Sequence, residues 1–410
     1  MSKAKIGQIT DSCLGKMLDA AKNKGEYAPY LANANVRWGG FDLSDLPLMR
    51  FEEDEQDRYG LQYGDLVMCE GGEPGRCAIW RNQIPNMKIQ KALHRIRPRD
   101  GVDVRWLYYW FLLHGQKHLL DRYFIKTTIM HLPGDRLREI EIDVPDYSTQ
   151  CGIGDVLSAI DAKIEVNTHI SVALESMAKM IYIYWFTQFD FPNVEGKPYR
   201  SSGGKMVWNE QLKREIPKGW EVGTIDSILA IDNNSVDPSK LGDTIMEHYS
   251  IPAFDDGKYP VFEPANTIES GKYIVNRECI LTSKLNPHFK RLWDPYCDTD
   301  NAICSTEFIV YRPRDLWTRS YCFAVLNSDS FYAHMVSNAT ASTGSRKRIQ
   351  PDVSASFQLA IPDEQTIRAF VKVYDPILKQ LKNLRKENHE LANLRDWLLP
   401  MLMNGQATVE

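Results

Sequence analysis

Cysteines in paired spacing are the first thing this sequence lacks. The 410-residue chain carries 8 cysteines, none in a C-x-x-C pair and none grouped with histidine. Neither a structural zinc nor a disulfide framework is expected, and the thiols read as reduced ones in the cytoplasm. There is also no apolar run long enough to cross a bilayer. The first residues, MSKAKIGQITDSC, are too polar for a signal peptide, so no membrane association is expected. The 9 histidines form no HExxH and no triad-like pattern. Around Gly271-Lys272 the glycine spacing that cradles phosphates is broken, because Asn266 stands where the first glycine would be. No catalytic residue and no cofactor is assigned. The net charge of -5 leans away from nucleic acid, but it is a sum over the whole chain and does not say where the basic residues sit.

What is present is repetition. Arg97-Pro98-Arg99-Asp100 returns as Arg312-Pro313-Arg314-Asp315, a shift of 215, and Pro145-Asp146 returns as Pro362-Asp363, a shift of 217. Each RPRD leads into an aromatic-rich helical run, Trp106 to Leu113 and Tyr321 to Leu326. Matched words in one order across half the chain imply two structurally equivalent halves. Each PD opens a long segment with apolar residues at alternating steps of three and four. In the first these are Ile153, Val156, Ile160, Ile164, Ile170, Leu174, Met177, Ile181 and Tyr184. In the second they are Ile367, Phe370, Tyr374, Ile377, Leu381, Leu384, Leu391, Leu394 and Leu398. That period is the seam of a helix packed along another helix. Asn167 and Asn388 interrupt it once each. Asp375-Pro376 reads as the cap and first residue of a new helix, with Asp161 in the same capping part in the first copy.

Between these landmarks, short runs such as Asp65 to Cys69, Ala92 to Ile96, His248 to Pro252, Cys279 to Ser283 and Phe308 to Tyr311 read as strands of compact β-rich domains. Asp190 to Pro217 shows little periodicity and reads as a connection. The expected organisation is α+β: a β-rich domain at 1–146, a long helix at 147–189, a linker at 190–215, a second β-rich domain at 216–362, a second long helix at 363–404 and a tail at 405–410.

This order, with the words NVRWGGFDLSDL, YGDLVM, IPKGWEV, the two RPRDs and the two PD…Q helix starts, resembles the specificity subunits of type I restriction-modification systems. The resemblance covers nearly the whole chain. It implies two target recognition domains related by a pseudo-twofold axis, each reading half of a bipartite double-stranded DNA site, with two antiparallel helices as a coiled-coil spacer. It further implies a non-catalytic subunit that docks two methyltransferase subunits and then motor-nuclease subunits. The sequence agrees in lacking the Asn/Asp-Pro-Pro-aromatic tetrad of an adenine methyltransferase, of which Asn286-Pro287-His288 is only a partial echo. The competing reading is a duplicated coiled-coil adaptor that scaffolds proteins without reading DNA.

Candidate DNA contacts follow from charge and hydroxyl clustering on loops. Thr343, Ser345, Arg346, Lys347 and Arg348 occupy the place that Lys126, Thr127 and Thr128 hold in the first half. Lys284, Asn286, His288, Lys290 and Arg291 form a second group, and Arg76, Arg81, Lys88, Gln90 and Lys91 a third. Arginine can pair bidentately with guanine, whereas Lys, Ser and Thr more often hold phosphates; solvated turns are the plain alternative. Gly71 to Arg76 reads as a turn. For partner docking, the helix-end residues Tyr182, Trp185, Phe186, Trp397 and Met401 are candidates, with ordinary core packing as the alternative.

Overall fold

The computed structural model describes residues 2–17, 19, 23–126, 129–341 and 346–408. They divide into two units, Met1–Lys163 with Leu391–Glu410, and Ile164–Glu390.

The first unit is built on a four-stranded antiparallel sheet. In spatial order its strands are Thr10–Leu14, Leu93–Pro98, Leu66–Cys69 and Cys77–Ile79. Leu66–Cys69 is buried throughout, which explains its continuous apolar run where a half-exposed strand would alternate. The helix Val104–Gln116 buries all eight residues from Trp106 to Leu113. Asp103 caps it, accepting from the Arg105 amide at 2.7 Å and the Trp106 amide at 3.3 Å. A smaller sheet of Leu48–Phe51, Glu26–Leu31 and Lys88–Ile89 carries its own apolar cluster. Ser2–Lys5 pairs antiparallel with Glu141–Val144, just before the first long helix.

The second unit repeats this plan. Its four-stranded sheet runs Leu229–Ile231, Phe308–Pro313, Ile280–Ser283 and Leu292–Trp293 in the same relative order. Glu221–Thr224 pairs with Gln358–Ile361 as the terminal strands of the first unit pair. The two RPRD words close equivalent strands, and their leading arginines do equivalent work. Arg97 forms a bidentate pair with buried Asp65 at 2.7 and 2.8 Å, and Arg312 grips Asp232 at 3.0 and 2.7 Å. The smaller sheet is larger here, with five strands where the first unit has three. The expected strand at His248 to Pro252 is shifted: the strand is Ile245–Tyr249, and a short helix starts at Ile251 with Ser250 as its cap.

The long helices are Tyr147–Tyr182 and Glu364–Met403. The first, of 36 residues, is roughly 54 Å long. Asp146 and Asp363 cap them in the same way, each accepting from the amide and hydroxyl of the threonine three residues on, Thr149 and Thr366. Asp161 and Asp375 are not caps, because both lie inside continuous helices. Asp161 accepts from Tyr109 at 2.6 Å and from Arg395 at 2.8 Å, and Asp375 from Ser320 at 2.8 Å. Pro376 denies an amide proton to the carbonyl of Lys372, but Lys372 is exposed, so water can take that carbonyl. Burial of Ile377, Leu378 and Leu381 just beyond offsets the cost.

The seam also differs from its sequence pattern. Among the second helix's apolar residues, Ile367 to Leu384 are buried as expected, while Leu394 is exposed. On the first helix and the π-helical turn Ile183–Thr187 that continues it, Ile170, Met177 and Tyr184 face solvent, and the stripe that packs is Asn167, Ser171, Leu174, Ala178, Ile181 and Trp185. The two stripes differ by only one or two positions, and an apolar-only reading passes over the small and polar members. In the second unit the helices run antiparallel: Asn388 reaches the Ile164 carbonyl and Thr168, Asn167 donates to Glu387 at 2.8 Å, and Arg385 pairs with Glu175. The expected connection at 190–215 is packed, since Phe191 is a core residue, Tyr199, Met206 and Leu212 lie against that core, and Met206–Asn209 pairs with Arg214–Pro217.

Candidate nucleic-acid interface

Two of the basic groups singled out in sequence converge in the second unit. The loop after strand Ile280–Ser283 and the hairpin of Thr340–Ala341 with Lys347–Arg348 are bridged at Leu285 and Arg348. Asn286 holds them together. Its amide donates to the Lys347 carbonyl at 2.7 Å, and its side-chain oxygen accepts from the Lys347 amide at 2.9 Å. Asn286 sits at φ 48°, a left-handed conformation that asparagine tolerates better than most residues. The Ile349 amide closes the junction on the Lys284 carbonyl at 3.1 Å. One surface thereby carries Lys284, Asn286, His288, Arg346 and Lys347, of which His288, Arg346 and Lys347 are exposed.

Arg348, Lys290 and Arg291 are engaged differently. Arg348 makes a bidentate pair with Glu307 at 2.8 and 3.0 Å, and this hydrogen bonding holds the Glu307 carboxyl below the usual range. Lys290 donates to the Asn327 carbonyl and lies over the Tyr332 ring, with burial lowering its pKa. Arg291 grips Asp255 at 2.7 and 2.8 Å. These last two side chains are tied into the packing of their unit. Thr343 and Ser345 lie outside the described residues.

The first unit makes the same bridge. Gly71 pairs with His131 of the hairpin Ile125–Lys126 and Met130–His131, and the Leu132 amide donates to the Glu70 carbonyl at 2.7 Å. The glycine-rich turn at 71–76 is thus the structural counterpart of the 285–291 loop. Sequence comparison missed this because the two turns share almost no residues. Arg76 serves the turn itself, bonded to Glu73 at 2.7 Å and to Asn33 at 3.1 Å. Lys126 is exposed on the hairpin, and Thr127 and Thr128 lie outside the described residues. The rest of the group is not brought to this bridge. Lys88 is buried with its ammonium on the Gln56 carbonyl at 3.2 Å; burial lowers its pKa. Gln90 is half-buried and bonds its own turn through the Ala92 amide. Arg81 and Lys91 are exposed.

Sequence reading also passed over Phe289, which stands 55% exposed beside His288 with ring centroids 4.2 Å apart. A large apolar ring inside a basic loop was the available signal. Glu307 had none, being 41 residues from the arginine it restrains.

Of the proposed docking residues, Trp185 and Phe186 are buried in the second unit's core with Tyr182 packed against them. Burial pushes the Tyr182 hydroxyl up to about 12. They are core residues because the helix end must cover Phe370 and Tyr321, 4.7 and 5.2 Å from the Phe186 ring. Trp397 is 59% exposed, and Met401 is half-buried. No helix among the described residues is long and apolar enough to cross a membrane.

The geometry has known parallels. Residues 1–176 match the family model described as the type I restriction modification DNA specificity domain. The type I restriction enzyme MjaIX specificity subunit of Methanocaldococcus jannaschii is 25% identical over 362 residues, spanning 85% of this chain and 78% of that protein. The HindI specificity subunit of Haemophilus influenzae is 20% identical over 414 residues, spanning 86% of this chain and 88% of its own length. A crystal structure of a type I restriction-modification S subunit from M. genitalium shares the fold with a TM-score of 0.61 at 16% identity, covering 98% of this chain and 95% of that one. With its duplicated sheet-and-hairpin units and paired long helices, the chain shares its fold with a type I S subunit and is similar along most of its length to type I restriction-modification specificity subunits, with 1–176 matching their DNA specificity domain.

Proposed function

We propose that the chain reads a bipartite double-stranded DNA site, one recognition domain to each half, with 1–146 and 216–362 as the domains. The observation that carries this reading is the repeated bridge between a turn and a hairpin on the same sheet architecture, which gives the chain two equivalent reading edges. In the second unit that edge presents Arg346, Lys347, His288 and Lys284. Arg346 and Lys347 supply phosphate neutralisation or base-edge contacts, and Asn286 keeps the two loops in register. The long helices at 147–189 and 363–404 set the gap between half-sites. DNA rises about 3.4 Å per base pair, so helix length is a ruler for that gap.

The chain performs no chemistry in this reading. It works in the cytoplasm as the specificity component of a complex, docking two methyltransferase subunits and, with them, motor-nuclease subunits. Trp397 is the most exposed of the aromatic candidates for that docking. The test is a gel-shift panel on duplexes carrying both half-sites, one, or neither, with the target taken from methylome sequencing. Arg346→Ala with Lys347→Ala lowers affinity about tenfold or more through one half-site and flattens the salt dependence by about two phosphate contacts. Unchanged affinity and salt slope would remove this edge from the DNA interface.

A further inference from the structure

The second unit contains a cavity of about 320 Å³ between its parts of the two long helices and the sheet domain. The charges around it do not balance. Three carboxylates are each shared by two cations. Glu175 is shared by Lys258 at 3.3 Å and Arg385. Asp294 is shared by Arg319 at 2.7 Å and Lys382 at 3.4 Å. Asp329 is shared by Lys179 at 2.7 Å and Lys290 at 4.0 Å. Of these six cations, all but Arg319 line the cavity directly. Among the lining residues themselves, five cations face two carboxylates, Glu175 and Asp294, an excess of three positive charges. Arg385 and Lys382 are the most withdrawn of these cations, at 22% and 26% exposed, and an anion seated beside them would replace solvent in neutralising the excess. Burial lowers the pKa of both Lys258 and Lys290, and for Lys258 repulsion from Arg385 adds to the effect. The rest of the lining is largely apolar, including Phe254, Leu292, Phe323, Tyr374, Leu378 and Leu381, with the Lys258 ammonium 5.6 Å from the centre of the Phe254 ring.

We propose that this cavity binds a small organic phosphate with a flat apolar body, of the class of a nucleoside mono- or diphosphate. The phosphates would lie among Lys179, Lys258, Lys290, Lys382 and Arg385, and the ring system against the aromatic and aliphatic wall. The volume is at the small end of the range of about 300–1,000 Å³ usual for ligand cavities, which suits one nucleotide and excludes a duplex. Several ammonium and guanidinium donors around a single cavity are what a polyanion needs for charge-assisted hydrogen bonds. This site is separate from the DNA edge at Arg346 and Lys347 and does not depend on that edge binding DNA.

Isothermal titration of the full chain tests the assignment, using ADP, AMP, adenosine and inorganic pyrophosphate as probes. ADP is expected to bind more tightly than adenosine or pyrophosphate, because neither alone engages both the charged and the apolar lining. Lys258→Gln and Lys290→Gln, checked for unchanged circular dichroism, are each expected to weaken ADP about tenfold. Arg346→Ala is expected to leave ADP binding unchanged. Should a glutamine variant fail to fold, the wild-type chain still decides the matter: ADP affinity must fall as salt rises, and bound ADP must raise the melting temperature. No heat and no thermal shift with millimolar ADP, adenosine binding as tightly as ADP, pyrophosphate binding as tightly as ADP, or unchanged binding in both lysine variants would each overturn the proposal.

Discussion

The two units share a sheet order and a hairpin bridge, yet they hold the bridge with opposite chemistry. In the first, the turn at 71–76 is short and glycine-rich, and it spends its one arginine internally on Glu73 and Asn33. In the second, the equivalent loop at 285–291 carries no glycine. It is locked to the hairpin by the Asn286 side chain and leaves His288 and Phe289 outward, with Arg346 and Lys347 exposed on the hairpin side, where the first unit's hairpin exposes Lys126. The scaffold is therefore conserved between the halves while the presented edge is not. That is the arrangement expected where two similar modules must read different sequences, because strands fix position and loops carry selectivity.

The comparison breaks most severely at the sheet. Asp65 is only 1% exposed and Arg97 is its cation, whereas Arg312 divides itself between Asp232 and the much more exposed Glu278. Arg97→Ala leaves a buried carboxylate unpaired and is expected to cost about 3–5 kcal/mol. Arg312→Ala is expected to cost about 1–2 kcal/mol, since water can reach its partners. Hydrogen exchange in Leu93–Pro98 and in Phe308–Pro313 measures each locally; equal losses would show that the two RPRD arginines are interchangeable in energy as well as in place.

A smaller difference lies where the long helices begin. Buried Gln150 accepts from the Asp103 amide at 2.9 Å and donates to the Pro145 carbonyl at 3.0 Å, tying the start of one helix to the cap of another. The position 217 residues on is apolar Ile367. Gln150→Ala strands two buried backbone groups and is expected to cost about 2–3 kcal/mol. Gln150→Ile should be no better despite matching the second unit, because it restores volume and not hydrogen bonds. Urea titration of both variants checks this, and a neutral Gln150→Ile would mean the latch is mere packing.

How far these differences were visible in the sequence depends on what kind of interaction made them. The duplication was legible because RPRD and Pro-Asp are fixed by local geometry: an arginine that must meet a carboxylate at a strand end, and an aspartate that must cap a helix. The helix seam was half legible. Apolar spacing located the helices and placed Asn167 on the seam, but Ser171 and Ala178 also pack there on the first one, and small or polar residues are silent in a hydrophobic pattern. Pro376 misled because its cost depends on whether one carbonyl faces water, which is a tertiary fact. Lys88 and Trp185 misled for the same reason, each being an ordinary surface or helix-end residue until the fold buries it. The convergence of 284–291 with the strands Thr340–Ala341 and Lys347–Arg348 was invisible because it is a contact across some sixty residues, as in Lys347 to Asn286.

At the proposed reading edge, the acids offer a gentler test. Glu307 holds Arg348 and would also repel an approaching phosphate, as Glu73 does with Arg76. Glu307→Gln frees a guanidinium beside Arg346 and Lys347, and affinity for DNA is expected to rise about threefold to tenfold at low salt. Glu73→Gln is expected to give less, because Asn33 still holds Arg76. Fluorescence anisotropy with a labelled duplex reads both, and a larger gain from Glu73→Gln would reverse the assignment of the stronger edge to the second unit.

The smallest effect concerns pH. His94 is buried, with Nε2 2.8 Å from the Leu132 carbonyl. Burial depresses its pKa below 6.5; the bond to Leu132 opposes this, and the charge of Arg138 adds to it. The unfolded chain therefore gains a proton before the folded one does on acidification. The contribution of His94 is complete above about pH 6.5 and is lost as pH falls from there through the folded value. The matching strand position in the second unit is Ile309, which cannot titrate, although His248 in that unit is also a depressed imidazole beside Glu263. The comparison must therefore be local. Exchange protection in Leu93–Pro98 is expected to fall by at most about 1 kcal/mol between pH 7 and pH 5. His94→Ile is expected to flatten that slope whatever its cost at neutral pH. A slope that survives the substitution would assign the acid response to carboxylates such as Asp103, whose own depressed value, burial opposing and Arg105 prevailing, brings loss only at lower pH.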